Sequence, residues 1–206
     1  MLLESELRRL SLIIVLAACA LSVAGCDRQT PPKEQAEPVA AASIEKKQGA
    51  GLESANGLRA ELIYNFAGKS APDAPFTGAD GREVALTDFA GRPLLVNFWA
   101  TWCGPCKIEM PTLDSLAELE AGKVTVIAIA QDLKGRGPVR AFFEQTGVVN
   151  LEPYTDRSNR VWGSIGGTPK LPTTILYDSE GREVWRVVGG VEWDDAEISA
   201  LLAEAN

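Results

Sequence analysis

Two cysteines two residues apart, Cys103 and Cys106, lie in the stretch Trp99-Ala-Thr-Trp-Cys-Gly-Pro-Cys-Lys-Ile-Glu-Met-Pro111. An apolar run from Leu94 to Trp99 precedes them and a helical pattern opening on a proline follows, so both sulfurs fall where a buried strand turns into a helix. With Cys103 at the N-cap and Pro105 in the first turn, where its missing N–H costs nothing, the unsatisfied amides and the positive helix end favour a thiolate on Cys103. Its pKa is then expected below the free value of about 8.5. Cys106 occupies the same helical face one turn deeper, within reach of a disulfide and shielded from solvent. The pair is set up as nucleophile and resolver.

Other uses of the pair fit less well. A structural zinc ion takes about four ligands, whereas the chain has no histidine and its other cysteines, Cys19 and Cys26, sit in an N-terminal leader. No metal site is expected. A disulfide closing so short a loop adds little stability, because the chain-entropy gain grows with loop length.

The elements that must position the sulfurs follow from pattern. Phe76 to Leu86 reads as a hairpin turning at Asp80-Gly81. Leu94 to Trp99 is a strand whose unbroken apolarity implies cover on both faces. Leu113, Leu116, Ala117 and Leu119 continue the apolar face of the helix after Cys106, and Gly122 ends it. Val124 to Ala130 is a second buried strand, Pro138 opens a helix ending near Gly147, Leu151 to Tyr154 is a short strand, and Ser158 to Trp162 a short helix. Thr173 to Tyr177 and Trp185 to Val188 form a hairpin, and Asp194 or Asp195 caps a last helix with Ile198, Leu201 and Leu202 inward. Strands alternating with helices imply an α/β sheet. Trp162, Trp185 and Trp193 read as packing residues.

Ahead of this domain the composition changes twice. Arg8 and Arg9 precede an apolar run from Leu10 to Gly25, the layout of an export signal, and its length of about 24 Å falls short of a bilayer core of roughly 30 Å. Residues 1–25 are therefore expected to be a cleaved signal, placing the rest outside the cytoplasm. Residues 26–57 are rich in Pro, Ala, Glu, Gln, Lys and Gly without periodicity and read as a disordered tether with a reach of roughly 30 Å. Residues 58–70 read as a docking segment of one or two amphipathic turns, and 71–206 as the catalytic domain. At 206 residues and 46% apolar content the chain can bury one core, and a formal charge of -8 argues against a nucleic-acid partner.

Trp99-Ala-Thr-Trp-Cys-Gly-Pro-Cys106 with Leu171-Pro-Thr-Thr174 resembles the thioredoxin superfamily, and Lys107-Ile-Glu-Met-Pro111 narrows this to the TlpA and ResA-like disulfide reductases. The resemblance runs from about Ala71 onward. It implies a thioredoxin-like fold, a central mixed β-sheet flanked by helices with an N-terminal β-hairpin and a central βα insertion. It assigns Trp102, Gly104, Pro105, Leu171 and Pro172 to substrate binding, with a cis bond before Pro172, where composition alone gives trans. Asn97 stands where thioredoxins carry a buried aspartate, and it cannot titrate. Glu109 matches the acidic position of ResA-like proteins. Held in an apolar pocket it would have a raised pKa and accept the Cys106 proton; the alternative is a solvated helix glutamate.

Val23-Ala-Gly-Cys26 resembles a bacterial lipobox, implying lipidation of Cys26, with Asp27 as an inner-membrane retention signal; an ordinary signal or uncleaved anchor is the alternative. The resemblance implies no cofactor beyond the redox-active disulfide, a monomer tethered at the periplasmic face of the inner membrane, and a membrane electron donor of the DsbD or CcdA type. Clients would be disulfide-bearing proteins of cytochrome c or cytochrome oxidase copper-site assembly. A copper(I) transfer module, or a disulfide oxidant or isomerase, are the other classes the thiols allow.

Overall fold

Leu94–Trp99 (β5) is buried at all six positions, and its period of two sorts the side chains onto two faces. Leu95 and Trp99 enter one apolar cluster, while Leu94, Val96 and Phe98 enter the other. Asn97 shares the phase of Leu95 and Trp99 and so faces the first cluster. The computed structural model describes residues 49–168 and 170–205.

Among these residues β5 lies within one nine-stranded mixed sheet of order β1-β2-β9-β8-β5-β6-β7-β3-β4. Its strands are Ala50–Glu53 (β1), Arg59–Ile63 (β2), Phe76–Thr77 (β3), Glu83–Val84 (β4), β5, Thr125–Ala130 (β6), Tyr154–Thr155 (β7), Thr173–Tyr177 (β8) and Glu183–Gly189 (β9). β6 runs parallel to β5 and β8 antiparallel, which places Thr174 directly opposite Asn97. The helices are Gly104–Leu119 (α1), Arg136–Thr146 (α2), Arg160–Ser164 (α3) and Ala196–Leu202 (α4). Met110 and Leu113 of α1, Val139 and Phe143 of α2, and Ile198 and Leu201 of α4 join the face of Leu95 and Trp99. Val161 of α3 covers the other face.

The mixed α/β architecture and the hairpin at Asp80-Gly81 are as the pattern predicts. α2 ends at Gly147 in the left-handed conformation, φ 74°, and Asp195 caps α4 by accepting the Glu197 N–H. Several local readings are corrected. Residues 50–53, assigned to the tether, form β1, and 59–63, assigned to a helical turn, form β2. β2 pairs with β9, more than a hundred residues away, and β1 pairs with β2, so the hairpin is held in the sheet by a contact that local composition does not carry. The short strand near Tyr154 starts at the end of the expected stretch, and α3 starts two residues later than expected, where the buried Asp156 carboxylate accepts the Arg160 and Trp162 N–H groups. Leu119 is 63% exposed, because its helical phase falls off the buried face set by Leu113 and Leu116. The signal segment with Cys19 and Cys26, the tether as far as residue 48, and Pro169 lie outside the described residues.

Candidate active site

Cys103 is the N-cap of α1, in extended conformation, with Pro105 in the first turn. Its sulfur accepts the Cys106 N–H at 3.3 Å, so a backbone donor of the helix end points at the nucleophile. The two cysteines form a disulfide with Cα atoms 5.3 Å apart. Cys106 is fully buried and Cys103 is 6% exposed, so the outer sulfur alone is open to attack. Ahead of the helix, Asp132 at the end of β6 accepts the Thr101 N–H at 2.9 Å and also the Thr101 hydroxyl, fixing the turn that presents Trp102.

A groove of about 760 Å³ opens over Cys103. Trp102, Pro105, Leu133, Trp162 and Leu171 give it apolar walls, Gln131 and Asn159 are its amides, and Gly104 lets the chain pass at its floor. Among the described residues no charged side chain lines it. Trp102 and Leu133 are each 68% exposed, an unusual exposure for apolar side chains beside a reactive sulfur. The Leu171-Pro172 bond is cis, and the Pro172 carbonyl accepts the Gly189 N–H at 2.9 Å.

Glu109 lies three residues beyond Cys106 on α1 and is fully buried. Its Oε1 accepts from Asn97 Nδ2 at 2.7 Å; its Oε2 accepts from the Val191 N–H at 3.2 Å and the Trp193 indole at 3.3 Å. Asn97 also donates to Thr174 Oγ1 at 2.9 Å. Burial pushes the Glu109 carboxyl up to about 8, and these donors, which favour the ionised form, only partly offset it. A solvated helix glutamate is therefore not what the fold builds.

The structure thus gathers Trp102, Cys103, Gly104, Pro105 and Leu171 at one groove, with Cys106 and Glu109 beneath it. Pro172 sits behind Leu171 at the head of β8. Sequence reasoning missed Leu133 and Trp162 as groove walls, and Val191, Trp193 and Thr174 as the polar surroundings of Glu109 and Asn97. The strand phase of Asn97 and the helical phase of Glu109 point at each other and could have paired those two. Trp193 is 84 residues from Glu109, and nothing local marks it.

Comparison with known proteins places this geometry. Residues 66–202 match the family described as Redoxin. The thiol-disulfide oxidoreductase ResA of Bacillus anthracis is 34% identical over 123 residues, covering 59% of this chain and 69% of the relative. ResA of Bacillus subtilis (strain 168) is 32% identical over 137 residues, 62% of this chain and 75% of the relative. Among solved structures, a chain named thiol:disulfide interchange protein DsbE from Chlorobium tepidum superposes with a TM-score of 0.55 at 28% identity, covering 68% of this chain and 98% of its own. The pneumococcal exposed lipoprotein thioredoxin Etrx1 from Streptococcus pneumoniae strain TIGR4 gives 0.52 at 25% identity, covering 63% and 98%. Sheet, helix-capping cysteine and family agree: the chain belongs to the redoxin family and is a thioredoxin-like thiol-disulfide oxidoreductase of the ResA and DsbE type, with Cys103–Cys106 as its active-site disulfide.

Proposed function

We propose that this oxidoreductase works as a reductase of disulfides in client proteins outside the cytoplasm. Cys103, as the thiolate favoured at the helix end, attacks one sulfur of a client disulfide and expels the other as a thiolate. Cys106 then loses its proton to Glu109, and its thiolate attacks the Cys103 sulfur. The client leaves with two electrons gained and the enzyme keeps the disulfide. A carboxyl near 8 is matched to a thiol, so this proton moves with little driving force in either direction. On regeneration by an outside donor Glu109 returns the proton to the departing Cys106.

The observation that carries this reading is the helix-capping disulfide with a buried carboxyl one turn behind it. The groove over Cys103, with Leu171 as one wall, suits an extended client segment, held by Trp102, Pro105 and the Leu171-Pro172 backbone. A reducing role is supported by Gly104-Pro105 between the cysteines, the pair that thioredoxin itself carries. An extracytoplasmic, membrane-tethered location is supported by the export-signal pattern and lipobox-like Cys26, and by the likeness to a solved exposed lipoprotein thioredoxin. Clients in cytochrome c or copper-site assembly, and a membrane donor of the DsbD or CcdA type, follow from the resemblance alone.

The test is the reduction potential of the Cys103 and Cys106 pair, read by thiol-buffer equilibrium and alkylation. A value near the roughly -270 mV of thioredoxin supports the reductase, and Cys106→Ser then traps clients as stable mixed disulfides on Cys103. A value near the roughly -120 mV of DsbA would make the protein an oxidant.

A further inference from the structure

The hairpin of β1 and β2 precedes the residues that match the redoxin family, which begin at 66. It nevertheless joins the sheet, with Ala60 opposite Gly189 at the end of β9. Only glycine permits that approach: Gly189 has φ 113°, and a Cβ there would stand 2.3 Å from the Arg59 carbonyl oxygen. The chain then turns through Gly190 into Val191, Glu192 and Trp193, the loop whose donors hold Glu109.

The hairpin turn is fastened to that loop. The Glu192 N–H donates to Ser54 Oγ at 2.9 Å, and the Ala55 N–H donates to Glu192 Oε2 at 3.2 Å. Leu58, 6% exposed, closes the space between. Its Cδ2 and Glu109 Oε2 lie 3.1 and 3.4 Å from the point where a Cβ of Gly190 would stand. Leu58 and the carboxyl thus share the bare flank of Gly190.

We propose that the β1–β2 turn, through Leu58 and Ser54, is a positioning element of the thiol-disulfide reaction: it seals the Glu109 carboxyl from water and so fixes the pH at which that group exchanges a proton with Cys106. The proton exchange rests on the role given to Glu109 above. Burial is the largest influence on this carboxyl, so an added water path on the Leu58 side weakens the dominant effect. The other groups turned toward Glu109 leave the seal in control. β5 offers the Asn97 amide, which is backed by Thr174 of β8, and the loop offers the Val191 N–H and the Trp193 indole. None of these titrates near neutral pH. The charged member of the loop, Glu192, directs its carboxylate to the Ala55 N–H. On its own helix the titratable side chain one turn away on the same buried face is Cys106.

The experiment follows the Glu109 carboxyl by carbon NMR in the full chain labelled at glutamate, assigned by its disappearance in Glu109→Gln. Alongside it runs the pH profile for resolution of a mixed disulfide on Cys103. Leu58→Ala is expected to lower the carboxyl midpoint by about one pH unit, a tenfold rise in acidity, and to move the rate profile with it. Leu58→Met restores both. Ser54→Ala keeps every buried carbon, shifts both readings in the same direction by less, and carries the test if Leu58→Ala does not fold. Unmoved carboxyl midpoints in the folded variants overturn the proposal and leave the hairpin a stabilising extension only. A moved midpoint with an unmoved rate profile supports the seal and overturns the role of Glu109 as the proton partner.

Discussion

At the scale of the residue, Glu109 combines full burial with three donors and, among the described residues, no cation partner. Its carboxyl stands at about 8 against an ordinary value of 4.5, so the folded protein holds this proton more tightly than the unfolded chain does. The stabilisation is fully present below pH 4.5 and is lost as pH rises toward about 8, with a slope of at most about 1.4 kcal/mol per pH unit. Glu109→Gln removes that dependence while keeping one acceptor oxygen for the Asn97 or Trp193 donor. Urea unfolding of both proteins as disulfides, where the thiols cannot titrate, should show the stability of the parent falling relative to the variant between pH 5 and 8. Parallel curves would mean that the carboxylate is ionised throughout. In turnover the same substitution should slow resolution of the mixed disulfide by about a hundredfold or more, the usual contribution of a positioned general base, while the first attack by Cys103 is unchanged.

At the scale of the element, α1 must stay fixed along its length if its first turn is to present the sulfurs. Asp114, on its buried face, anchors it to the segment after α2. Its carboxylate accepts the N–H groups of Val149, Asn150 and Leu151 at 3.2, 2.8 and 3.0 Å, and the Asn150 side-chain amide at 3.1 Å. Asp114→Ala leaves these donors without their acceptor, and a loss of about 2–4 kcal/mol is expected in urea unfolding. The reduction potential should stay at the parent value, since no part of the redox pair touches this anchor. What could be read from sequence divides along the same line. α1, β5, β6, β8 and the cap of α4 carry their own signals: a Cys-Gly-Pro-Cys opening, unbroken apolar runs and an aspartate ahead of an apolar helix. The docking of the β1–β2 hairpin on β9 through β2, the clamp made by Asp114 and the place of Trp193 beside Glu109 depend on contacts between distant segments. A single window of sequence carries no trace of such contacts. Glu109 was legible because it follows Cys106 by one helical turn and matches the acidic position of ResA-like proteins.

For the molecule as a whole, charge and groove point in different directions. The chain carries a formal charge of -8, whereas among the described residues no charged side chain lines the groove over Cys103. Long-range attraction and local recognition are therefore separable: the field acts on how often a client arrives, and the uncharged walls act on what is held once there. Two disulfide peptides with the same residues around the bond, one flanked at a distance by lysines and the other by glutamates, distinguish the two effects. At low ionic strength kcat/KM should favour the basic peptide by about tenfold. Near 1 M salt, where the screening length is about 3 Å, the two values should converge. The maximal rate at saturating peptide should be the same for both throughout, because the reacting sulfurs meet the same apolar walls. If the preference for the basic peptide persists undiminished in high salt, a specific contact rather than the overall field selects it.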